Sequence, residues 1–146
     1  MTTDQRLAGV VRRRSELGRA MQQVELAAAA AAGKEAWTNE LEISLRKLEI
    51  AWRHHVREAE SPAGLHDRIL DQAPRMQRTV ESIQADHRAI ARSVGAALTE
   101  VHEAGDDTDK EALRDTAVDI LVALARHRQH GADLIYDAYS VDIGGY

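Results

Sequence analysis

The chain contains no cysteine, which excludes both disulfide staples and thiolate metal sites. It has no phenylalanine, two tryptophans and three tyrosines among 146 residues, so any core must come from Leu, Ile, Val and abundant Ala. Small aliphatic residues favour close helix–helix approach, whereas strands draw on β-branched and aromatic side chains. Only two prolines interrupt the chain, and no window approaches the roughly 18 apolar residues of a membrane span. ELAAAAAAGKEAW (25–37) is only a short alanine run. The opening MTTDQRLAGVVRRRSE lacks the apolar stretch of a secretory leader. These absences lead us to expect an all-α, soluble, cytoplasmic protein.

Charge narrows the partners. Lys and Arg number 19 against 24 Asp and Glu, for a net charge of −5. The one compact basic run, Arg12-Arg13-Arg14, is too short to grip a phosphate backbone. The acidic balance also disfavours a membrane surface. Neither nucleic acid nor membrane is therefore expected as a partner. The length suits one domain with a single core spanning residues 1–146.

Breaker residues divide that domain. Gly33 follows the alanine run as the expected end of a first helix. ESPAGL (60–65) separates two helical patterns, and Pro74 stands just ahead of another. AGDDTDK (104–110) reads as a loop ending in Asp or Thr caps. The expected long helices cover about 4–32, 35–60, 74–104 and 109–139, with a short helix at 65–72 and an irregular tail at 140–146. The long helices carry apolar residues at alternating steps of four and three, the signature of packed helices. The seams run Val10, Arg14, Leu17, Met21, Val24, Ala28; then Leu41, Leu45, Leu48, Trp52, His55, Ala59. The third runs from Met76 through Val80, Ile83, His87, Ile90, Val94 and Ala97 to Val101. The fourth runs from Leu113 through Ala117, Ile120, Leu124, His127, Gly131 and Leu134 to Ala138. Short connections predict an antiparallel, up-down-up-down four-helix bundle.

Each seam has a polar intruder: Arg14, His55, His87 and His127. In that topology the start of the first and third helices and the end of the second and fourth share one end. Four polar side chains then converge in one layer. Three imidazoles there suit Fe, Zn, Mn or Cu. Glu58, one turn after His55, flanks the same face and completes a candidate set of His55, Glu58, His87 and His127. Taken alone, Glu58 also reads as a solvated glutamate at a helix end. Arg14 cannot ligate a cation; it either snorkels to solvent or pairs with Glu58 and replaces the metal. His130 flanks the seam, Asp86 points away from it, and His54, His66 and His102 read as surface residues. Gly131 brings no ligand to the inward position one turn after His127.

ADHRAI (85–90), HVREAE (55–60) and LARHRQHGADLIY (124–136) together resemble the hemerythrin-like, or HHE, cation-binding bundles. That resemblance implies a non-haem iron centre held by histidines and carboxylates, with roles in oxygen binding, sensing or iron handling. It places His55, Glu58, His87 and His127 at matching positions. Arg14 stands where the first helix would supply a histidine, and Gly131 and Ala132 where the fourth would bring carboxylates. Three His and one Glu suit one tetrahedral ion better than two irons.

Other chemistries lack their residues. No histidine follows a Glu by three positions, as ferritin-like di-iron sites require. HExxH, P-loop and GxGxxG motifs are absent, and nothing near Ser82 or Ser93 would activate a nucleophile, so an enzyme is not the expected reading. The competing expectation is a metal-free regulatory bundle, meeting a protein partner or a second copy through DLIYDAYSVDIGGY (133–146), with Tyr136, Tyr139 and Tyr146 among apolar residues.

Overall fold

Four long helices with aliphatic seams need partners for those seams, and they find them in one another. The computed structural model describes the backbone of residues 3–144 and the side chains of residue 12 and residues 14–140. Helices α1 (Thr3–Ala29), α2 (Lys34–Glu60), α4 (Gln77–His102) and α5 (Lys110–Gly144) form an all-α bundle, with the short α3 (Leu65–Gln72) and a 3₁₀ turn at Pro74–Met76 between α2 and α4. α1 packs on α2 and α5, and α4 on α2 and α5. Among the described residues no helix is long and apolar enough to cross a membrane.

The seams are the buried faces. On α4 the expected positions Val80, Ile83, His87, Ile90, Val94, Ala97 and Val101 are all buried. On α2 the seam is joined by Trp37, Ser44 and Ala51. On α1 Leu17, Val24 and Ala28 are buried and Ala20 joins them; the Val10 side chain lies outside the described residues. Arg14 departs from its seam and is exposed, so the buried Arg14–Glu58 pair does not form. A guanidinium keeps its hydration when it lies near a helix start with water within reach.

Helix ends are decided by contacts the sequence pattern does not register. α1 stops at Ala29, short of residue 32. The Ala28 carbonyl accepts from the Trp37 indole N–H at 3.1 Å and from Arg114 Nε at 2.7 Å. Lys110 Nζ donates to the Ala32 carbonyl at 3.1 Å. These donors from α2 and α5 take the carbonyls of a fraying end, and alanine propensity yields to them. Gly33 accordingly caps the start of α2 and does not end α1. Asp109 behaves as expected of a cap, with Oδ1 accepting from the Glu111 backbone N–H at 2.9 Å. The expected irregular tail from residue 140 is instead helical to Gly144, because Ser-Val-Asp-Ile contains no breaker before the Gly-Gly pair. In the α2–α3 turn, a Cβ on Gly64 would lie 2.7 Å from the Ser61 carbonyl oxygen and 2.8 Å from that of Glu58. Only glycine permits that close approach.

The core divides in two. The larger cluster includes Leu17, Trp37, Leu45, Trp52, Ile90 and Leu124. The smaller one gathers Ile69, Met76, Val80, Ile83, Leu134 and Ala138 beneath α3. In α4 His87 falls between Ile83 and Ile90, and in α5 His127 falls between Leu124 and Leu134, so a polar layer lies between the two clusters.

Candidate metal centre

The polar layer is built on Trp52. Its indole stacks on the His55 ring, with centroids 5.0 Å apart and planes at 20°. It meets the His87 and His127 rings edge-on at 5.5 and 5.0 Å. Its N–H donates to the His87 backbone carbonyl at 3.2 Å, tying α2 to α4 at the level of the cluster. Trp52 sits one turn before His55 on the same α2 stripe, so one helical face supplies both the floor and a ring.

His55, His87 and His127 each offer a ring nitrogen, and these three atoms lie within 4.8 Å of one another. His55 Nε2 is 3.1 Å from His127 Nε2. His87 and His127 are 2 and 3 % exposed, while His55 is half-buried. His87 Nε2 and His127 Nδ1 are buried without a hydrogen-bond partner among the described residues, a costly condition for polar atoms in an interior.

The Glu60 carboxylate meets His87 Nδ1 in a short hydrogen bond. With the proton on Nδ1 donated to Glu60, the neutral ring carries a bare lone pair on Nε2. Carboxylates commonly orient a metal-ligating imidazole this way from its far side. Burial is the main reason His55 and His87 are pushed down from 6.5 to about 3, and His127 to about 4. For His55 and His87 the neighbouring imidazoles lower the value further, and for His127 the His130 and His66 rings do so against the opposing pull of Asp86. All three rings are therefore neutral near pH 7, the form that ligates a cation.

The remaining candidates separate. Glu58 is half-buried on the wall of the adjoining cavity and is not among the three converging donors. His66, expected at the surface, is 4 % exposed; its ring stacks on His87 at 5.7 Å, and Gln84 Nε2 lies 3.1 Å from its Nδ1. An eight-residue helix has too few turns for its pattern to reveal which face is covered. His54 Nδ1 lies 2.7 Å from Glu16, and the exposed His102 lies 2.9 Å from Glu42. His130 is exposed, 3.7 Å from Asp86. Sequence reasoning passed over Glu60, His66 and Trp52 as parts of the site. For Trp52 a signal was present, since it sits on the seam one turn before His55.

The donor set can be tested against a cation. Nitrogens bound tetrahedrally at about 2.05 Å lie about 3.3 Å apart. The His55–His127 separation of 3.1 Å is already close to that. With all three nitrogens within 4.8 Å of one another, the donor chemistry is compatible with a single ion, with Glu60 in contact with His87 Nδ1. The residues do not fit a two-metal centre, because among the described residues no carboxylate joins the three converging nitrogens to bridge a pair. The class defined by fold and site is an all-α bundle with a three-histidine cluster, two of whose rings are buried and one half-buried. No protein-family model, curated protein or solved structure matches the chain.

Proposed function

We propose that this chain is a hemerythrin-like, antiparallel up-down-up-down bundle that binds one divalent cation, iron or alternatively zinc or manganese, through His55, His87 and His127. The observation that carries the reading is the buried, unpartnered His87 Nε2 beside the His55 Nε2–His127 Nε2 pair at coordination distance. A buried polar atom without a partner costs about 1–3 kcal/mol, which a bound ion would offset. The antiparallel arrangement is supported by the distal end, where Trp37 at the start of α2 reaches Ala28 at the end of α1 and Lys34 reaches the Asp106 carbonyl ahead of α5. Three protein ligands leave at least one coordination position open, which suits a sensor or a reversible carrier better than a closed structural site. The deciding measurement is the metal content of purified protein before and after loading, with His55→Ala, His87→Ala and His127→Ala beside the native chain. Stoichiometric metal lost in all three variants supports the proposal; metal content indifferent to the substitutions overturns it.

The competing reading is a metal-free interaction module. Tyr136 and Tyr139, 71 and 40 % exposed on the last turns of α5, favour a contact surface there. Tyr146 and the side chains of Val141 and Ile143 lie outside the described residues.

A further inference from the structure

A cavity of about 440 Å³ opens directly from the histidine cluster, and its lining includes His55, His87, His127 and His66. Its volume falls in the range of small-molecule sites, about 300–1,000 Å³. Much of the remaining wall is apolar, with Leu17 and Met21 from α1, Leu65 from α3, and Leu134 and Ile135 from α5. Among the described residues, charge on the wall is unbalanced: Arg14 and Arg128 stand against Glu58 alone. Arg128 is positioned by packing, since its Nη1 lies 3.8 Å from Met21 Sδ and 3.4 Å from where a Cβ on Gly18 would sit.

Gly131 lies one helical turn after His127 and lines the same cavity. Among the described residues, a Cβ at that position would meet nothing within 4 Å. Close packing therefore does not require glycine at this point inside α5, where alanine would make a better helix. The effect of the missing side chain is to leave open space on the wall of the cavity that the three histidines share.

We infer that the open face of this centre takes an exogenous monocarboxylate with an apolar body, its carboxylate toward the cation and its hydrocarbon against the aliphatic wall. This rests on the cation-binding reading proposed above. A carboxylate is a hard oxygen donor for a divalent ion that keeps an open position, and its single charge suits a wall with two guanidiniums and one carboxylate. A bare inorganic anion would leave the aliphatic wall unused, and an ammonium would be repelled by the arginines and the ion.

The test uses the full chain loaded with Co²⁺, whose visible spectrum reports its ligands. Octanoate, acetate and octylammonium are titrated separately. Octanoate is expected to change the spectrum at a concentration at least about tenfold below that needed for acetate, because its methylenes become buried. Octylammonium is expected to have no effect. Gly131→Leu should abolish the octanoate response while retaining Co²⁺, and Arg128→Gln should weaken octanoate by about tenfold through loss of a charged partner. Co²⁺ binding with no octanoate response, equal responses to octanoate and acetate, or a response that survives Gly131→Leu each overturns the inference and leaves cation binding intact. Failure to bind Co²⁺ at all removes both.

Discussion

His55 Nε2 and His127 Nε2 face each other at 3.1 Å across the bundle, one from α2 and one from α5. With both rings neutral, one nitrogen donates and the other accepts, and His127 Nδ1 remains buried without a partner in either arrangement. A cation can draw on both Nε2 lone pairs once the shared proton moves to Nδ1 of the ring that carried it. Zinc or cobalt at about a hundredfold above its dissociation constant should therefore add about 2.7 kcal/mol of stability, roughly 10 °C in Tm for a chain of this size. Calorimetry with and without metal measures it; an unchanged Tm contradicts the site.

The same orphaned atoms predict a trade between stability and binding. His127→Leu removes a buried imidazole with an unpartnered nitrogen and supplies a side chain for the layer between the two apolar clusters. The metal-free variant should be more stable than the native apoprotein by about 1–3 kcal/mol in denaturant unfolding. It should also lose at least about a hundredfold in metal affinity, more than the usual penalty for an outer-shell change. A variant that is less stable without metal would show that the histidine layer is a satisfied structural network.

Glu60 holds His87 from the side away from the cluster. Glu60→Gln removes the charge that strengthens the imidazole as a donor, and should weaken cation binding by about 10–100-fold. Glu58→Gln, on the cavity wall, should change it much less. Isothermal titration of the two variants side by side distinguishes the carboxylate that contacts an imidazole from the one sequence spacing singled out.

Acid should destabilise the apoprotein through the same histidines. Their folded values of about 3 to 4 lie below the ordinary 6.5, so the unfolded chain binds more protons throughout that interval. Stability then rises with pH between about 3 and 6.5 and is lost as pH falls through the window. Unfolding curves at pH 7 and 4.5 should separate for the native chain and draw together in a His55→Leu/His87→Leu/His127→Leu variant. Equal separation in both would assign the acid sensitivity to carboxylates elsewhere.

Trp52 offers a direct optical readout, with its ring centroid 5.0 Å from those of both His55 and His127. In a Trp37→Phe background, where Trp52 is the remaining indole, Cu²⁺ or Co²⁺ should quench most of the emission at one equivalent. Quenching that persists in His87→Ala/His127→Ala would place the ion elsewhere.

The legible part of this protein is periodic. Val80, Ile83, His87, Ile90, Val94, Ala97 and Val101 follow steps of three and four, and each is buried because that spacing returns side chains to one helical face. The same arithmetic singled out His55, His87 and His127, whose donor atoms lie within 4.8 Å of one another. Helix ends were less legible, since Trp37 and Arg114 take the Ala28 carbonyl of α1 and Lys110 takes the Ala32 carbonyl just beyond it.

What sequence alone determined was therefore the all-α composition, the helical stripes and the histidines that interrupt them, all consequences of local spacing. The tertiary structure decided which neighbours those histidines meet. It exposed Arg14, buried His66 by stacking α3 against His87, and chose Glu60 over Glu58 as the carboxylate in contact with an imidazole. The physical reason is that such contacts depend on how whole helices approach one another: the Glu60–His87 hydrogen bond joins residues 27 positions apart, far beyond the one turn over which helical periodicity relates neighbours.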